Sequence, residues 1–130
     1  LEEKASLEVA EFERLAHEAL ESLPDQFKSR MENVLVVVEE VPSEATARKM
    51  VLGKGARLLG LYEGVPLSRR GTWYGAFPVE PDRITLFKRN IEYDAAAHSR
   101  GVGETIRDVL IHEIAHHFGM NEEEIRNAGY

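Results

Sequence analysis

The sequence predicts an α+β fold in which a small mixed β-sheet of about three or four strands packs against an N-terminal helix and a long C-terminal helix. Three observations carry this. Val9, Phe12, Ala16, Ala19, Leu20 and Leu23 recur at helical spacing. Largely apolar runs of strand length, the first of them mostly β-branched, stand at 34–38, 58–62 and 84–87. Finally, Ile106, Val109, Leu110, Ile111, Ile114, Ala115 and Phe118 spread over a broad arc of one helix, which must therefore be largely buried.

Taken in order, Ser6 is placed to cap the first helix and Pro24 to stop it. His17, set among Glu13, Glu18 and Glu21, reads as a solvated imidazole. The run at 34–38 is apolar at every position, the pattern of a strand covered on both faces and central to its sheet. Ser43 can cap a short helix through about Met50, and Gly53-Lys54-Gly55 is a connector, since no helix-opening Gly-Lys-Ser/Thr follows a strand there. The segment 63–82 carries six Gly and Pro residues with Trp73, Tyr74 and Phe77; it is either a wall of a substrate cleft or a hairpin stapled by its aromatics. The strand at 84–87 is flanked by Arg83 and Lys88, charges that suit a sheet edge able to accept a peptide. A helix at about 90–97 and the long helix from about Val102 complete the chain.

At 130 residues the chain fits one domain, 1–130, and 43% hydrophobic with 30% charged residues is an ordinary globular composition. No apolar run approaches the roughly 18 residues of a membrane span, so no membrane partner is expected. A formal charge of -7, despite basic pairs such as Arg69-Arg70 and Lys88-Arg89, argues against nucleic acid. The absence of cysteine excludes disulfides, thiolate metal sites and thiol catalysis, so any metal must use His and carboxylate. A reducing, cytoplasmic location is the expectation, with no signal-peptide pattern in a chain that begins at Leu1. Nothing in the sequence specifies an oligomeric state.

The chemistry concentrates in His112-Glu113-Ile114-Ala115-His116. Two histidines four apart on a helix lie about 40° apart around the axis and about 6 Å along it, so both rings can reach one metal ion. Glu113 projects from a neighbouring strip, where it can reach a metal-bound water without being a ligand. His117 falls within the apolar arc and reads as a hydrogen-bonded core histidine. Gly119 can end the helix at positive φ and turn the chain back, bringing Glu122 towards the same metal. Against that, Asn121-Glu122-Glu123-Glu124 also reads as a helix cap followed by an acidic first turn, with Glu123 and Glu124 as substitute ligands.

The pattern from His112 to Glu122 resembles the zincin metallopeptidases, in the wider metzincin form, and above all the minimal zincin-like bacterial proteins of about this length. That resemblance covers nearly the whole chain, including Leu-Tyr-Glu-Gly-Val-Pro-Leu from Leu61 to Leu67. It implies a zincin-like fold, a Zn2+ cofactor, and a peptide or protein substrate hydrolysed through a zinc-bound water. His112, His116 and Glu122 are then the metal ligands and Glu113 the general base. Glu113 needs no unusual pKa for this. Tyr62, Tyr74, Tyr93, His98 and Tyr130 are candidate donors to the oxyanion, His98 being better read as a surface residue. Two features depart from the metzincin pattern: Glu122 stands where His or Asp is usual, and no methionine turn follows, Met120 being too close to the motif. These departures support the competing reading, an inactive zincin-like interaction module that binds metal weakly or not at all.

Overall fold

The computed structural model describes residues 7–49, 58–64 and 81–127, apart from the side chains of Lys49, Glu122 and Glu124. In chain order these form α1 (Val9–Glu21), α2 (Asp25–Lys28) with a 3-10 turn at Ser29–Met31, β1 (Val34–Glu39), α3 (Glu44–Lys49), β2 (Gly60–Glu63), β3 (Asp82–Phe87), α4 (Lys88–Ala97), α5 (Val102–His117) and α6 (Glu122–Asn127). Ser43 caps α3 as its sequence foretells, its Oγ accepting the Thr46 backbone N–H at 3.1 Å. The expected cap at Ser6 lies outside the described residues, as does nearly all of the glycine-rich and aromatic segment at 63–82. Pro24 follows the end of α1 and leads into α2, whose four residues are too few for periodicity to announce.

The sheet is mixed, in the order β1-β3-β2, with β1 parallel and β2 antiparallel to β3. This reverses the expected places of two strands. The run at 34–38 lies at an edge, with Leu35 51% exposed, whereas β3 is central and Ile84, Thr85, Leu86 and Phe87 are all buried. An apolar run reports β propensity; which faces are covered depends on what packs there. Nor do the charges beside β3 mark an edge. Arg83 reaches across to Glu63 at 3.1 Å, and Lys88 is buried against Glu92 with Nζ to Oε2 at 3.2 Å.

One face of the sheet carries the core. Val34, Val36 and Val38 of β1 and Ile84 and Leu86 of β3 meet Phe12, Ala16 and Ala19 of α1 and the arc Ile106, Leu110, Ile111, Ile114 of α5. Each fully buried side chain of this size contributes about 1.5–3 kcal/mol. Ile125, also fully buried, draws α6 back onto the core beside Met120. Helix α5 is thus fixed from three sides, by α1, by the sheet and by α4.

Candidate metal centre

The α5 helix starts where Glu104 accepts the Gly101 N–H at 3.2 Å and Thr105 donates its hydroxyl to the Gly101 carbonyl. It ends at Gly119, whose φ of +80° permits two reversing hydrogen bonds, Met120 N–H to the Ala115 carbonyl at 2.7 Å and Gly119 N–H to that of His116 at 3.1 Å. The motif therefore occupies the last turn and a half of a helix whose middle, from Thr105 to Ala115, supplies buried core residues.

Register with β2 sets the spacing. Gly60 and Tyr62 pair with Leu86 and Ile84, so they share the sheet face turned towards α5. A Cβ at Gly60 would stand 2.6 Å from Val109 Cγ1 and 3.3 Å from the Thr85 carbonyl oxygen. The missing side chain brings the helix close enough for Glu113 Oε1 to accept the Tyr62 backbone N–H at 3.0 Å. A glycine inside a strand pattern is the sequence signal for such an approach. Half-buried, the Glu113 carboxyl is pushed above its ordinary range by desolvation, an effect opposed by the Tyr62 N–H and by His116 and His112. Its proton affinity is thus raised, although the chemistry expected of it does not require that.

His112 is half-buried, and its Nδ1 lies 2.8 Å from the Asp108 carbonyl. A carbonyl only accepts, so in the neutral ring Nδ1 carries the hydrogen and Nε2 the lone pair, the tautomer a metal ligand needs. The exposed ring of His116 follows one turn on, its centroid 6.1 Å away. Two imidazoles on one tetrahedral zinc, with Zn–N near 2.0–2.1 Å, have ring centres roughly 5 Å apart. A small change of side-chain torsion closes that difference, so the pair fits a shared ion. Among the described residues no three His, Asp or Glu side chains gather to hold a metal. The backbone of Glu122 opens α6 just beyond the turn, with the Asn121 carbonyl accepting the Ile125 N–H as a cap residue should, while its side chain lies outside those described. Glu123 is exposed, and the Glu124 side chain is outside the described set.

His117 is not a core residue. It is exposed and stacks on Tyr62, with ring centroids 3.8 Å apart and planes 17° from parallel. The apolar arc extends along the helix on paper, but the last turn of α5 runs out past the core, so the same angular position meets an edge strand and solvent. Phe118 stands edge-on to both rings, and the Arg30 guanidinium lies 5.1 Å above it. Of the proposed oxyanion donors, Tyr74 and Tyr130 fall outside the described residues. The Tyr62 hydroxyl donates to Asp82 at 2.7 Å, Tyr93 is exposed on α4, and His98 is a surface residue beside Asp94, as anticipated.

Beside His112 and Glu113 opens a cleft of about 330 Å3, walled by Leu58, Leu59, Gly60 and Val109, with Asp94, Arg100 and Asp108 at its other end. No local pattern marks this cleft, because it forms between the start of β2 and the corner joining α4 to α5.

A helix-borne His-Glu-x-x-His motif laid along the edge strand of a small mixed sheet defines the zincin class. Residues 31–130 match the family of zincin-like metallopeptidases, and the chain belongs to that family. The structure is similar to that of a conserved hypothetical protein from Thermus thermophilus, with a TM-score of 0.54 and 20% identity over 93% of this chain and 99% of the other, a likeness of fold. No curated protein matches.

Proposed function

We propose that the protein is a zinc metallopeptidase that hydrolyses peptide or amide bonds, with His112, His116 and Glu122 as ligands and Glu113 as general base. The observation that carries this is the placement of Glu113. Its carboxylate is held by the Tyr62 N–H on the strip next to two histidines whose rings are neighbours and of which one is set in the metal-binding tautomer. Bound there, zinc would supply an acidified water and polarise the scissile carbonyl. The protein's own part is to take and return a proton. With Oε1 fixed on the backbone donor, Oε2 of Glu113 is the oxygen to accept a proton from water and pass it to the leaving amine, and its burial raises the proton affinity that this shuttle uses. Support for Glu122 as third ligand comes from the reversal at Gly119, which starts α6 at that residue. A peptide or protein substrate follows from this reading, and the family supports hydrolase chemistry at the level of class.

The test is metal analysis joined to a chelator-reversible peptidase assay. About one zinc per chain is expected, with Glu113→Gln retaining the metal and losing at least about 10²-fold in hydrolysis. Glu122→Ala should weaken zinc affinity by about ten-fold or more, on the order of losing one ligand. Protein that takes up no zinc and whose stability ignores chelators would instead be the interaction module.

A further inference from the structure

We propose that the cleft beside His112 and Glu113 is a subsite for a long, positively charged substrate side chain, lysine or arginine, adjoining the bond to be cut. The inference rests on the peptidase reading and adds the substrate class. Leu58, Leu59 and Val109 give the cleft apolar walls, against which an aliphatic stem can lie. At Gly60 the wall is bare backbone packed against Val109, with no side chain to project into the cleft. The charge at the far end is unbalanced. The Arg100 guanidinium meets Asp108 at 2.5 Å and feels Asp94 as well, so two carboxylates of the lining face one cation, while Glu104, 3.9 Å from the same guanidinium, adds negative charge just outside the cleft. Asp108 already engages Arg100, which leaves that guanidinium poorly placed to receive an acidic side chain. Asp94 faces the cleft with the His98 ring 3.5 Å away. A cationic head group would therefore find excess negative charge about one side-chain length from Glu113, and the net charge of -7 favours approach of basic peptides.

Zinc-loaded Glu113→Gln protein would be titrated with blocked tetrapeptides Ala-Ala-X-Ala, X being Lys, Leu or Glu, while backbone amide shifts are followed by NMR. The Lys peptide should bind about three- to ten-fold more tightly than the Leu peptide, as partly exposed ion pairs allow, and the Glu peptide most weakly. Shifts should centre on Leu59, Gly60 and Val109. Asp94→Lys on the same background should reverse the order of Lys and Glu, and Asp94→Asn, a milder change, should narrow it. Equal affinities, or shifts centred elsewhere, would overturn the assignment. Cleavage by wild type of longer peptides varied at the same position separates the two readings. Hydrolysis indifferent to X leaves the peptidase standing and removes the subsite. Binding that prefers Lys, with no peptide cut, keeps the subsite and removes the peptidase.

Discussion

The backbone N–H of Tyr62 donates to Glu113 Oε1 across 3.0 Å, joining the edge strand of the sheet to the acidic residue of the helix motif. The same tyrosine stacks on His117 and anchors its hydroxyl on Asp82, so one residue fixes the carboxylate and the end of α5 together.

Burial without a metal makes the Glu113 charge costly. Its folded pKa lies above the unfolded value, so in the chelated protein the native state holds this proton more tightly, and stability falls as pH rises through the raised value. A glutamine in its place has no such proton and can still accept from Tyr62. Glu113→Gln should therefore melt above wild type at about pH 7–8 in chelator, the gap closing below about pH 4, where both states of wild type are protonated. Thermal melts across pH check this; a gap independent of pH would dismiss burial as its cause.

Gly60→Ala tests the close approach. The added methyl meets stiff Val109 and the Thr85 carbonyl, so α5 must move away from β2. A loss of about 1–3 kcal/mol in denaturant unfolding is expected. Peptidase activity should fall more than stability accounts for, because the Tyr62–Glu113 bond lengthens.

At Gly119 the requirement is conformational, since a methyl added there would meet nothing within 4 Å while φ is +80°. Gly119→Ala should cost about 1–2 kcal/mol. Zinc affinity, read by competition with a chromophoric chelator, should drop because the turn that starts α6 is disturbed. Unchanged affinity would detach the α6 end from the metal site.

The Lys88–Glu92 pair is buried at both ends, and Glu92 also accepts the Leu7 backbone N–H at 2.8 Å. Glu92→Ala leaves a buried ammonium without this partner and should cost about 3–5 kcal/mol. The double change Lys88→Met with Glu92→Leu should recover much of that loss. Chemical denaturation of the three proteins decides it, and equal losses for single and double variants would count against the ion pair.

Local rules wrote a good part of this molecule into its sequence. The spacing of Val9, Phe12, Ala16 and Ala19 marked α1, Ser43 marked the start of α3, and Gly119 the end of α5, because periodicity, capping and positive φ each act within a turn of chain. The spacing of His112 and His116 made them neighbours on any helix, and their rings are. Only the tertiary structure decided which strand is central, since 34–38 is the more apolar run and yet β3 receives a neighbour on each side. Packing likewise moved His117 from an apolar arc to an aromatic stack at the site, where α5 outruns its core. The partner of Glu113 was equally hidden: a backbone N–H is common to nearly every residue, and that of Tyr62 acquires its role because Gly60, two positions earlier, lets the helix come close.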